Sequence, residues 1–158
     1  MRQVTLCLLL KDNKVLLGLK KRGFGAGRYN GFGGKPEGKE TLPQTAVREL
    51  EQESGVIADE SYLTEVAGIL FRFPDNPEWD QHMHVYLVDK WHSTPGETEE
   101  MQPEWFSRDT LPYGQMWAGD RHWLPLVLDG NYVVGRFVYS ADQEVLEKLV
   151  NYTPMDNR

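Results

Sequence analysis

Apolar positions along the chain fall in short runs separated by polar or glycine-rich stretches. Residues 4–10 form a β-rich run, Lys11-Asp12-Asn13-Lys14 is polar turn material, and residues 15–19 form a second run, which predicts a hairpin. Residues 64–73 and 82–91 read as two further strands, with Pro74, Asp75, Asn76 and Pro77 as the loop between them. Residues 93–104 are acidic and contain proline, which predicts a loop, and Trp105-Phe106 opens a short strand. Residues 133–139 read as a strand, 142–150 as a C-terminal helix and 151–158 as a frayed tail. The clearest helical period belongs to Leu42, Ala46, Val47 and Leu50, which form one apolar stripe. Thr41 and Gln44 have the capping-box spacing, Pro43 is tolerated in a first turn, and Gly55 stands where a helix end favours a left-handed residue. Residues 120–128 predict a second, shorter helix in spite of Pro125. Together these periods predict an α/β fold, one mixed sheet sandwiched between helices (α/β/α).

The chain has 158 residues, the length of one domain, so 1–158 is read as a single domain. At that size it can bury roughly two thirds of its unfolded surface and needs no staples. Its one cysteine, Cys7, excludes an internal disulfide framework, sits in an apolar run and suits a reducing cytosol. The net charge of −7 argues against a nucleic-acid polymer as partner, because phosphate neutralisation drives that binding. A small anionic ligand, held by a local basic loop or by cations, stays open. No apolar run approaches the roughly 20 residues of a membrane span, and no small-residue cleavage site follows the first run. The expectation is a cytoplasmic monomer with neither membrane nor nucleic-acid partner.

Residues 23–39 contain Gly23, Gly25, Gly27, Gly31, Gly33, Gly34 and Gly38, a density that demands unusual backbone angles or close backbone approach. This loop feeds the acidic helix, where Glu49, Gln52 and Glu53 have the i, i+3, i+4 spacing expected to share one face. Two carboxylates on one face cost about 0.2–0.5 kcal/mol in repulsion. A divalent cation offsets that cost, and Mg²⁺ takes oxygen ligands from one or two carboxylates plus substrate phosphates. Read alone, the same residues suit a solvated helix face with Arg48 in local ion pairs.

Gly34, then Glu40, then Arg48-Glu49-Leu50-Glu51-Gln52-Glu53-Ser54-Gly55-Val56 at their mutual spacing resemble the box of the Nudix hydrolase family, which here spans 34–56. One specified position departs: Gln52 stands where the family has the first Glu of an adjacent pair. The resemblance implies a Nudix fold, Mg²⁺ (with Mn²⁺ as substitute) and hydrolysis of a nucleoside diphosphate linked to another group. It implies a metal site at Gly34, Glu49, Gln52, Glu53 and Glu100, and catalytic roles for Glu53, Glu49, Arg48 and Glu100. Arg48 would orient Glu49 or Glu53 by paired hydrogen bonds. One carboxylate would take the proton of the water that attacks phosphorus, while metals clamp the phosphates. Glu97 and Glu99 lie close enough to compete for the role given to Glu100. The neutral oxygen of Gln52 implies fewer metals or weaker metal binding.

The likeness reaches from Thr5 to about Phe137 and is greatest to members acting on oxidized purine nucleoside triphosphates, such as 8-oxo-dGTP and 2-OH-dATP. Those members release monophosphate and pyrophosphate and so cleanse the nucleotide pool. Trp117 and Trp123 bracket Asp120. An aromatic face stacks on a purine whatever its identity, and a carboxyl reads its edge. Each aromatic taken singly suits core packing as well. By resemblance Asn30, Phe71, Phe73, Met101, Trp117, Asp120 and Trp123 belong to the base pocket, with Thr5, Lys20 and Phe24 near its rim. Gly119 departs from these members, which carry a second Asp there. A lone Asp120 implies narrower specificity, or a water in the carboxyl's place. His82 and His84 share a strand face, an arrangement open to metal ligands, but His84 matches the family and reads as a core residue. Two other readings stand beside this one: turnover of a normal or methylated purine triphosphate, and nucleotide binding without turnover.

Overall fold

The computed structural model describes residues 1–156; residues 157 and 158 of the expected tail lie outside the described residues. β1 (Arg2–Lys11) and β2 (Lys14–Lys20) form the expected hairpin, with Leu9 opposite Leu16 and Lys11 opposite Lys14. After the two-residue β3 (Tyr29–Asn30) come α1 (Leu42–Ser54), β4 (Leu63–Arg72), β5 (Gln81–Val88), β6 (Met101–Ser107), α2 (Asp120–Leu128), β7 (Asn131–Tyr139) and β8 (Val145–Pro154). The strands make one mixed sheet in the order β3-β2-β1-β5-β4-β7-β8, with β6 also paired to β2. β1 runs parallel to β5 and β4 parallel to β7; the remaining pairs are antiparallel.

The period of two along β1 sends Val4, Leu6 and Leu8 to one face and Cys7 and Leu9 to the other. The first face meets Trp123, Leu124 and Val127 of α2; the second meets Ala46 and Leu50 of α1. The two helices therefore cover opposite faces, as the sequence predicts. α1 begins where expected: the Thr41 hydroxyl accepts from the Gln44 amide while the Gln44 side chain accepts from the Thr41 amide. It ends at Gly55, whose φ of 76° is left-handed and whose N–H donates to the Glu51 carbonyl. Cys7 is a core residue, and burial pushes its thiol up to about 12, which leaves it unreactive.

Three expectations are corrected. Residues 142–150 are not a helix: from Val145 onward they form β8, in antiparallel register with β7 from Tyr139↔Val145 to Asn131↔Pro154. Residues 151–154 accordingly belong to that strand and not to a frayed tail. The reason is tertiary. β4 pairs with one edge of β7, and the backbone groups of its other edge need partners. Helix propensity is a weak prior against such a ladder. Finally, β6 starts at Met101, so the end of the predicted 93–104 loop is strand, paired to β2 through Lys20↔Met101 and Leu17↔Glu104.

Candidate functional site

The glycine-rich loop is laid against β1 like a partial extra strand. Cys7 N–H donates to the Phe32 carbonyl at 2.6 Å, Phe32 N–H donates back at 3.0 Å, and Thr5 N–H donates to the Gly34 carbonyl at 2.9 Å. A Cβ on Gly33 would lie 1.7 Å from the Thr5 carbonyl oxygen, so only glycine passes there. A Cβ on Gly34 would lie 2.6 Å from the Glu49 carboxyl carbon. The glycines thus bring loop backbone up to β1 on one side and to the acidic face of α1 on the other.

Along α1 each residue turns the helix by about 100°, so Glu49 and Glu53 project about 40° apart, while Gln52 lies about 60° from Glu49 on the side away from Glu53 and about 100° from Glu53. Glu53 sits on the side of buried Ala46 and Leu50 and is itself buried. Its Oε1 accepts the Gly33 N–H at 2.8 Å. Burial holds its carboxyl up at about 8, against the pull of that hydrogen bond, and the charges of Glu49 and Glu100 add to the rise. Burial also raises Glu49, against the pull of Arg48. Arg48 is the hub. Its Nε and Nη2 grip both oxygens of Glu40 at 2.7 and 2.9 Å, its Nη1 donates to Glu49 at 2.9 Å, and its Nη2 donates to the Lys35 carbonyl at 2.9 Å. Hydrogen bonds from Arg48 hold the Glu40 carboxyl down at about 2.

Glu49 and Glu53 line a cavity of about 390 Å³ together with Gly33, Gly34 and Lys35. The aromatic part of the lining forms its base end. Phe24, Phe73 and Trp117 line it, the Phe24 and Trp117 rings lie 5.0 Å apart, and Phe73 meets Trp117 edge-on at 6.1 Å. The Arg28 guanidinium lies 4.3 Å from the centre of the Trp117 ring. Asp120 lines the same end and accepts the Trp123 indole N–H at 3.1 Å. Burial raises its carboxyl to about 7, opposed by that hydrogen bond and by the charge of Arg28. Thr5, Lys20, Asn30, Phe71 and Met101 complete the set of expected residues that line the cavity.

Four expected site residues do not line the cavity: Arg48, which acts through Glu49 and the loop, and three others. Gln52 lines a shallow depression beside the cavity with Val47, Arg48, Glu51 and Ala58, where its Oε1 accepts a 3.2 Å bond from Arg48 Nη1, the nitrogen that also holds Glu49. Trp123 is 1% exposed and packs in the core, reaching the cavity only through Asp120. Glu100, just before β6, has a 44% exposed side chain 3.9 Å from Arg22 and is absent from the cavity wall, although its charge is felt at both Glu49 and Glu53. Among the described residues no three His, Cys, Asp or Glu side chains stand together as a ready metal-binding group. Glu49 is engaged by Arg48 and Glu53 by the loop backbone. His82 and His84, with rings 4.3 Å apart, belong to no such group, and His84 bonds Gln3 at 2.7 Å.

The sequence reading missed the wall made by β1 and β5, where Val4, Leu6, Gln81 and Met83 line the cavity. Val4 and Met83 are register partners, and alternation marks such residues only as buried. Nothing local separates a cavity wall from the core behind it.

A two-helix, mixed-sheet fold with a Gly-loop and acidic helix on the wall of a cavity is the architecture of a known class, and the sequence profile of the NUDIX domain matches residues 1–127. The chain belongs to the NUDIX family. It is 44% identical over 145 residues to the oxidized purine nucleoside triphosphate hydrolase of Mus musculus, covering 92% of this chain and 91% of that one. To the protein of the same name from Danio rerio it is 42% identical over 144 residues, covering 91% and 90%. A MutT protein from Bacillus halodurans has the same fold, with a TM-score of 0.82 at 22% identity over 96% of this chain and 98% of that one. No described helix is long and apolar enough to cross a membrane.

Proposed function

We propose that this chain, acting as one domain and as a cytoplasmic monomer, hydrolyses oxidized purine nucleoside triphosphates such as 8-oxo-dGTP to the monophosphate and pyrophosphate. One observation carries the reading: a single cavity is lined both by the Glu49–Glu53 carboxylates and by an aromatic cluster with Asp120. A purine nucleoside triphosphate needs both chemistries in one site. The 44% identity to a hydrolase of oxidized purine nucleotides supports the same substrate class.

The donor set fits a divalent cation. The charge of Glu100 raises the proton affinity of both Glu49 and Glu53, and the charge of Glu49 adds to the rise at Glu53, the mark of acidic groups gathered for a counter-charge. Glu49, Glu53, Glu100 and the Gly34 carbonyl would hold Mg²⁺ or Mn²⁺, all hard oxygen donors. Such an ion neutralises phosphate charge and acidifies water. Gln52 lies off this set, so we assign it no ligand role. In the hydrolysis the water oxygen bonds to phosphorus, the phosphoanhydride bond breaks, and a cavity carboxylate takes the water's proton. Arg48 fixes Glu49 and pins the loop through Glu40 and Lys35. Trp117 and the phenylalanines receive the base, and Asp120 reads its edge by accepting or donating according to its protonation.

The test is hydrolysis of 8-oxo-dGTP against dGTP at equal low concentration, with Mg²⁺ and with chelator, the products separated by chromatography. Mg²⁺-dependent preference for the oxidized base, with pyrophosphate released, is expected. Equal turnover of both would move the substrate to another purine triphosphate. Tight binding with no turnover would make the chain a nucleotide-binding protein.

A further inference from the structure

Gly119 opens α2, and its backbone gives no reason for a glycine: φ is −76° and ψ −19°, open to any residue. No side chain caps α2 there, although this position favours Asp, Asn, Ser or Thr. What excludes a side chain is Tyr139. A Cβ built on Gly119 would lie 2.6 Å from the Tyr139 hydroxyl oxygen and 3.0 Å from the Phe137 ring. That hydroxyl accepts the Gly119 N–H at 2.8 Å in a fully buried setting, so it meets the backbone donor of the residue that opens the helix. Tyr139 belongs to the base end of the cavity through its ring, which stacks on cavity-lining Phe73 at 5.3 Å and Phe71 at 5.9 Å and meets Trp117 edge-on at 5.6 Å. The charge of Asp120, next in the chain to Gly119, reaches the phenol.

We propose that Gly119 and Tyr139 form a coupled specificity pair, in which the Tyr139 hydroxyl fills the space of a 119 side chain and leaves Asp120 as the sole carboxyl reading the base. The inference rests on the substrate reading above. Its chemical consequence is a preference. At pH 8, where Asp120 is ionised and the binding is to be measured, its carboxylate accepts two adjacent N–H donors, the edge that a guanine-type base presents through N1–H and its 2-amino group. An adenine-type edge presents a bare ring nitrogen, which that carboxylate repels. Tyr139 acts here as a positioning residue.

The test compares the wild type with Gly119→Asp, Tyr139→Phe and the double variant, by thermal unfolding and by calorimetric binding of 8-oxo-dGMP and 8-oxo-dAMP, which needs no turnover. Wild type is expected to bind the guanine-type nucleotide about tenfold or more tightly, the worth of one good bidentate contact. Gly119→Asp alone should lower the melting temperature, and adding Tyr139→Phe should restore it, because the double variant exchanges the phenol for a carboxyl that caps α2. In the double variant the preference should shrink to roughly a third of its wild-type value or less, through tighter 8-oxo-dAMP binding. A merely structural role for Tyr139 would restore stability and leave the preference unchanged, and would overturn the proposal. So would Gly119→Asp as stable as wild type, or a double variant less stable than either single one. Failure of the wild type to bind either nucleotide would instead overturn the substrate reading, and the selectivity with it.

Discussion

Arg48 makes five side-chain or backbone hydrogen bonds at the site, to both oxygens of Glu40, to Glu49, to Gln52 and to the Lys35 carbonyl. A planar fork is needed for such a hub, and the ammonium of lysine cannot replace it. Arg48→Lys is therefore expected to cost about 1–3 kcal/mol of stability, from polar partners left unmet, read by urea unfolding. Glu40 adds a pH effect of definite sign. Its folded carboxyl is held at about 2, below its ordinary 4.5, chiefly by Arg48. The stability it contributes is complete above about pH 4.5 and is lost as pH falls through about 2. Glu40→Gln should flatten the acid limb of a stability–pH curve in that window. Asp120 has the opposite sign. Burial lifts its carboxyl from 3.8 to about 7, so ionising it opposes the fold, and stability should fall as pH rises from about 4 to about 7. Asp120→Asn, which can still accept the Trp123 N–H, should be more stable than wild type at pH 8 by a margin that vanishes near pH 4. An unchanged pH profile in that variant would show that Asp120 is solvated.

At the scale of elements, the loop–helix unit depends on two neighbouring glycines for different reasons. Gly33 faces backbone, with a would-be Cβ 1.7 Å from the Thr5 carbonyl oxygen, and backbone cannot yield. Gly33→Ala should destabilise by about 3 kcal/mol or more, at the upper end of overpacking. Gly34 faces the Glu49 carboxyl, which can swing away, so Gly34→Ala should fold with near-normal stability while turnover falls at least about tenfold. Unfolding curves beside kcat separate the two. β8 is tested by its outward residues. Leu146, Leu149 and Tyr152 are 62%, 60% and 59% exposed. Leu149→Lys should change stability by less than about 0.5 kcal/mol, as for an ordinary surface site. Were 142–150 a helix docked by its apolar stripe, the same change would bury a charge and unfold it.

Over the whole molecule, the elements legible in advance were those whose signals are local. The β1–β2 hairpin, the α1 caps at Thr41, Gln44 and Gly55, and the spacing of Glu49 and Glu53 each depend on residues a few positions apart. So does the box that marks the family, matched within residues 1–127. These are properties of chain geometry, and the sequence determines them by itself. Three things were decided only by the tertiary structure. The segment 145–154 took the ladder that the free edge of β7 offers, against its helical pattern. Gln52 stays off the cavity that Glu49 and Glu53 line because the sheet fixes which side of α1 is buried, although Arg48 bonds Gln52 and Glu49 alike. The base end of the cavity was assembled from the loop at Phe24, the residue after β4 at Phe73, β7 at Tyr139, and the start of α2 at Gly119 and Asp120. Spacing along the chain carries no information on which distant residues will share a space. The glycine at 119 looks free in the sequence, and it takes the Tyr139 hydroxyl, twenty residues away, to make it obligatory.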